Sequence, residues 1–136
     1  MSIATAVCDS YTKEVMEGVH LVADVYKIAL IKPASAGTLG AATTNYSDLS
    51  TDEATGTGYS AGGLTLSGTA TALAGGVASL DFADAQWTSA SFSAAGAMIY
   101  NSSRGNKAVC VLDFGGTYTV TAGTFTVPLD RPVRAT

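Results

Sequence analysis

The residues able to do chemistry are few and scattered. The chain has one histidine, His20. A catalytic or pH-sensing imidazole needs a nucleophile or carboxylate held beside it. The sequence around His20 identifies none, so a packed or helix-capping residue is expected there. Cys8 and Cys110 lack any CxxC spacing, which leaves zinc and dithiol redox chemistry without support. They are expected to be small apolar thiols in the interior, with a disulfide between them as the alternative. The run GTGYSAG, Gly56 to Gly62, has the look of a nucleotide-binding glycine loop. That chemistry needs a strand before the glycines and a helix after them. Neither is present, so the glycines are expected to turn the chain into the next strand.

The acidic residues Asp48, Asp52 and Glu53 could surround Ca²⁺, but EF-hand spacing is missing and a solvated loop is the simpler expectation. Asp81 and Asp84 flank Phe82. A glycosidase would need two carboxyls across a sugar-sized cleft, and turn-forming aspartates explain this pair better. Trp87, Tyr46 and Tyr59 could form an aromatic platform for sugar. Trp87 lies among strand signals and belongs to the core, leaving Tyr59, beside glycines, as the better exposed contact. No catalytic residue, metal ligand or cofactor is assigned.

The elements that must position these residues follow from composition and pattern. The 136 residues suit a single domain, 1–136, large enough to fold on its own core. Hydrophobic residues make up 47% and charged ones 13%, so the chain is globular yet poor in surface charge. An Ala/Gly/Ser/Thr-rich surface of this kind suits a protein that lies against neighbours. The net charge is −4, and no Lys or Arg occurs between Lys32 and Arg104. That argues against nucleic acid and against anionic membranes as partners. Met1 to Asp9 does not read as a signal peptide, and no apolar run approaches the length of a membrane span. A protein held in the cytosol until assembly is expected.

Asp9 and Ser10 are good N-cap residues, and Tyr11, Val15, Val19 and Val22 recur at helical spacing. A helix is predicted over about Ser10 to His20, within an N-terminal arm and helix of about 1–22. The apolar run Val25 to Ile31, stopped by Pro33, predicts a core strand. Residues 33–62 lack periodicity and predict a long loop, the expected partner-contact surface. Its candidate contacts are Tyr46, Asp48, Asp52, Glu53 and Tyr59, and deleting Ala34 to Ser60 is expected to leave a folded domain. Beyond Gly63, strands are predicted from Leu64 to about Leu73, then a hairpin turn at Gly75-Gly76, then Val77 to Phe82. Trp87 to Tyr100 follows with a break at Gly96, then a polar turn at Asn101 to Asn106. Ala108 to Phe114 is turned by Gly115-Gly116, and Tyr118 to Leu129 alternates apolar residues with threonine. Pro128 and Pro132 suggest that the last strand is an edge. The fold expected is mainly β: an antiparallel β-sandwich or partly open barrel of about seven strands with one N-terminal helix.

In order along the chain come Gly18-Val19-His20, Val25 to Leu30, Gly56 to Gly63, Asp81-Phe82, Trp87, Ala97 to Asn101 and Ala108 to Phe114. This order, from about residue 10 to 128, resembles a group of small structural proteins of tailed bacteriophages. The resemblance implies a virion protein and leaves its place on the particle open. With no chemistry assigned, a non-enzymatic protein is expected. An acidic, compact β-domain of this size suits a capsid decoration, or cement, protein on the head, expected to bind the major capsid protein or other virion proteins and to form a homo-oligomer. The alternatives are a tail- or fibre-associated protein and a carbohydrate- or surface-binding β-sandwich module.

Overall fold

The computed structural model describes residues 2–3, 6–20, 23–33, 37–74, 77–127, 129 and 133–135. Its frame is one long antiparallel hairpin. Strand β8 (Ala85–Asn101) runs into β9 (Lys107–Val127), and the two pair from Asn101↔Lys107 at the turn to Ala85↔Val127 at the far end. The turn is built by its own residues. The Asn101 side chain accepts the Ser103 N–H at 3.0 Å, and Gly105 and Asn106 both take left-handed backbone, at φ 69° and 63°. Glycine and asparagine are the residues that visit this region at least cost.

Strand β3 (Tyr26–Ile31) pairs along the turn-proximal half of β8, from Tyr26↔Asn101 to Ile31↔Gly96. Two short strands flank it: β2 (Ala6–Val7) on β9 and β5 (Leu64–Thr65) on β3. The five-stranded antiparallel order is β2-β9-β8-β3-β5. A second sheet is formed by β10 (Val133–Ala135), β7 (Val77–Asp81) and β6 (Ala70–Ala74), while β1 (Ser2–Ile3) and β4 (Thr38–Leu39) make a parallel pair. The mainly β fold with one N-terminal helix is thus observed.

The core sits where β3 crosses the turn-proximal hairpin. Ile28, Leu30, Ile31, Met98, Ile99, Val109 and Val111 are fully buried there. Strand β3 lies between two others and is buried along nearly its whole length, which accounts for its apolar sequence, interrupted only by the half-buried Lys27. Helix α1 (Asp9–Met16) is shorter than predicted. Cys8 is its N-cap, without a side-chain hydrogen bond, and Gly18 at φ 78° ends the turn that follows it. Tyr11 is buried, but Val15 and Met16 of the predicted apolar stripe region face outward. Among the described residues no helix is long and apolar enough to cross a membrane.

Three predicted boundaries are corrected. Gly96 does not break the strand: a Cβ there would meet the Leu112 carbonyl at 2.6 Å, so glycine permits close approach within the sheet. Gly115-Gly116 does not reverse the chain. Pairing jumps from Gly96↔Asp113 to Ala94↔Tyr118, so the glycines lie in a bulge that bends β9 and lets it continue. The predicted Leu64–Leu73 strand is two strands in different sheets, β5 and β6, separated by Gly68 at φ 66°. The Gly75-Gly76 turn, Val22, Arg131, Pro128 and Pro132 fall outside the described residues.

Candidate functional site

Three of the five candidate contacts come together, but they face inward. The Glu53 carboxylate accepts the hydroxyls of Tyr46 and Tyr59, the latter at 2.5 Å, and the Gly62 N–H at 2.8 Å. Tyr59 in turn accepts the Leu30 N–H of β3 at 3.0 Å, and the Tyr100 hydroxyl donates to the Gly62 carbonyl. Tyr46 stacks on Tyr100 with ring centroids 4.6 Å apart. Burial, reinforced by the hydrogen bonds to Glu53, pushes the Tyr46 and Tyr59 hydroxyls far above the ordinary tyrosine range. Burial takes Tyr100 up to about 12.

Tyr59 is therefore not the exposed contact expected. It is half-buried beside Trp87, 6.1 Å away between centroids. Asp52 is buried and accepts the Gly37 N–H at 2.9 Å. Asp48 is exposed; it accepts the Thr44 N–H at 2.9 Å, and through the Asn45 N–H it completes with Asn45 the capping box that starts the 3₁₀ turn Tyr46–Asp52. The segment 33–62 thus contributes to the core, with Leu39, Leu49 and Ala54 buried and Ala54 bonded through its N–H to the Leu30 carbonyl at 2.8 Å. Deleting it would remove core residues, contrary to the expectation of an intact remaining domain. Its glycines serve contact as well as turning. A Cβ on Gly63, at φ 82°, would lie 1.9 Å from the Ile28 carbonyl oxygen. One on Gly56 would lie 2.5 Å from that of Ser91, beside the bridge Thr57↔Ser91 that lays this segment along β8.

His20 is packed, with partners the sequence concealed. Its side chain is 1% exposed. Nε2 lies 2.9 Å from Glu14 Oε1, Nδ1 lies 3.0 Å from the Asn101 amide nitrogen, and Tyr11 lies against the ring. The Asn101 oxygen accepts the Ser103 N–H, so its NH₂ faces His20 and Asp24, the latter at 2.9 Å. That makes Nδ1 an acceptor and places the ring proton on Nε2, toward Glu14. Arg104 pairs with Asp24 through two nitrogens, at 3.0 and 3.3 Å. Both imidazole nitrogens are occupied, so neither is open to a substrate. The network ties α1 and the segment after it to the hairpin turn.

Cys8 and Cys110 are both buried free thiols. Burial lifts Cys8 to about 12 and Cys110 further. Among the described residues no three His, Cys, Asp or Glu side chains gather as a metal would require.

The least anticipated feature is the far half of the hairpin. Residues 85–100 and 114–127 carry no charge at all. Its inner face holds Trp87, Phe92 and Phe125 in a buried aromatic cluster that continues outward through Phe114 to Tyr118, which is 55% exposed. Trp87 is thus a core residue, as expected. Phe114, Tyr118, Val120, Phe125 and Val127 line an open groove of about 420 Å³. The outer edge of β8 is covered at Ser91 by the Thr57 bridge. The outer edge of β9 is covered by β2 only at Cys110 and Val111. From Phe114 to Val127 that edge has no strand partner among the described residues.

No family model matches the chain, and no curated protein or solved structure shows significant similarity to it.

The signal for the β9 edge was present in the sequence as a charge-free run, Phe114 to Val127, with threonine at alternate positions around Tyr118 and Val120. What hid it was Gly115-Gly116, which reads as a turn. The inward bonding of Glu53 and Asp52 gave no signal, because nothing in an aperiodic segment marks Tyr46, Tyr59, Gly62 and Gly37 as folding back onto them.

Proposed function

We propose that this chain is a non-enzymatic structural subunit of a tailed-bacteriophage virion, acting as a head-decoration protein on the major capsid protein. The single observation behind this reading is the long neutral face of the hairpin. It joins an open strand edge to an exposed aromatic groove, in a protein whose acidic groups lie elsewhere. Open edges are hazards for a protein that stays alone, and native proteins usually protect them with charge, proline or cover. A subunit that ends up buried among neighbours has its edge covered by assembly. The occupied nitrogens of His20 and the inert thiols fit a protein without a reaction to run.

The tail-associated placement draws support from the same edge. A head-to-tail contact through one open strand closes rings when the rotation allows, and stacked rings suit a tail. The carbohydrate-module reading keeps only Tyr118 as an exposed aromatic, since Trp87 is buried and Tyr46 and Tyr59 are committed to Glu53.

Imaging of labelled virions separates these readings. A shell-wide signal is expected for decoration, and particles lacking the protein should release DNA at lower temperature, because binding only the intact shell stabilises it. A signal at one vertex would move the protein to the tail. Absence from purified particles would overturn the virion reading.

A further inference from the structure

We propose that two copies of this chain pair antiparallel through the open edge of β9, with Thr119 on the two-fold axis. This deepens the assembly reading by naming the self-contact, and it rests on that reading only in taking the neutral face as one meant for burial.

The first support is electrostatic. The chain carries a net charge of −4, so most of its surface repels a second copy, but no charged residue lies between Phe114 and Val127. The neutral strip is where two like-charged molecules meet at least cost.

The second support is self-complementarity. On the inner face Tyr118 and Val120 pair with Ala94 and Phe92 of β8, while Thr119 pairs with Ser93 on the other face, their hydroxyl oxygens 2.8 Å apart. An antiparallel pairing centred on Thr119 sets Tyr118 opposite the second copy's Val120, twice. It sets Thr119 opposite its own mate, with Thr117 and Thr121 at the bulged ends of the run. Aromatic–β-branched and Thr–Thr cross-strand pairs are among the favourable ones. A slip of one residue would set inner side chains against outer ones.

The third support is size. A stable interface covers about 800 Å² per partner, roughly an eighth of this chain's 6584 Å² surface. Residues 114–127 form about a tenth of the chain and are largely exposed, which places the strip near the scale of a small stable interface. Bulges at Phe114–Thr117 and near Thr121 bound the regular run, so pairing centres between them. The groove beside Tyr118 then lies within the interface.

The test uses the full-length protein. Sedimentation equilibrium is expected to show a dimer at about 100 μM, the range in which a micromolar Kd is saturated. Thr119→Lys places two like charges face to face on the axis and should weaken the dimer tenfold or more, with the circular dichroism spectrum and Tm of the monomer retained. Thr119→Cys should cross-link two copies under mild oxidation, while a cysteine at Thr12 on the helix should not. A monomeric wild-type protein would overturn the proposal, and so would a Thr119→Lys protein that dimerises as tightly as wild type. Presence in particles is scored separately. A dimer absent from virions would sink the virion reading alone, and a monomer present in them would sink this one alone.

Discussion

Removing the Glu53 carboxylate should unlatch the segment that precedes β5. In Glu53→Ala three donors lose their acceptor: the Tyr46 and Tyr59 hydroxyls and the Gly62 N–H. Hydrogen bonds to a charged group contribute about 1.5–3 kcal/mol each. Tyr46 is only partly buried and its hydroxyl can turn to water, so two full losses remain. The expected cost is about 3–6 kcal/mol, a large part of the stability of an ordinary domain. Glu53→Gln is the informative comparison. Its amide oxygen can stand at the Oε2 position and keep Tyr59 and Gly62, while its NH₂ faces a Tyr46 hydroxyl free to rotate and accept. The expected cost is about 1–2 kcal/mol. Urea unfolding followed by Trp87 fluorescence reads both, since Trp87 lies 6.1 Å from Tyr59. A Glu53→Ala protein within about 0.5 kcal/mol of wild type would refute the hub. Equal losses in the two variants would refute the assignment of the bonds to its two oxygens.

The tyrosines predict alkaline behaviour. Tyr11, Tyr26, Tyr46, Tyr59 and Tyr100 all ionise later in the folded protein than in the unfolded chain, chiefly through burial. Their contribution is full below about pH 10, where both states are protonated, and is lost as pH rises above it. Absorbance at the tyrosinate band should therefore rise in step with unfolding, and independent ionisation of these residues in a still-folded protein would contradict their burial. The thiols should behave alike: Cys8 and Cys110 should resist a thiol reagent when folded and react fully in denaturant, and rapid native labelling would contradict the packing. Gly63→Ala should cost about 3 kcal/mol or more, combining left-handed backbone with a clash on β3. Gly116→Ala, with nothing near its Cβ position, should change unfolding midpoints by less than about 0.5 kcal/mol; a reversed order would show that the contact of residues 56–63 with the sheet is wrong.

The core strand was legible because burial on both faces leaves a nearly continuous apolar signature, and Tyr26–Ile31 matched it in all but Lys27. The Asn101–Asn106 turn was legible because its left-handed residues are chemically marked. The lengths of β8 and β9 were not. Glycine within a strand and glycine in a turn look alike in sequence, and only the neighbours' positions distinguish them: the Leu112 carbonyl behind Gly96, open space around Gly116. The loop was recognised as irregular, but its interior bonding was not, because an aperiodic segment carries no spacing rule that directs Tyr46, Tyr59 and Gly62 to Glu53. Tyr118 escaped notice for the opposite reason. It sits in an alternating pattern that reads as half-buried, yet it is 55% exposed.

The register Tyr26↔Asn101 also sets a schedule for synthesis. The central strand β8 is made after β3 but before β9, so the apolar β3 emerges 75 residues ahead of the residue that closes on its first position. At about 5–20 residues per second, that wait is roughly 4–15 s. The hairpin, closed by a local turn, can zip as soon as it is released, whereas β3 must close a long loop to join it. The chain is therefore exposed to misassembly chiefly while it is being translated, and a chaperone that holds Tyr26–Ile31 would act in that interval.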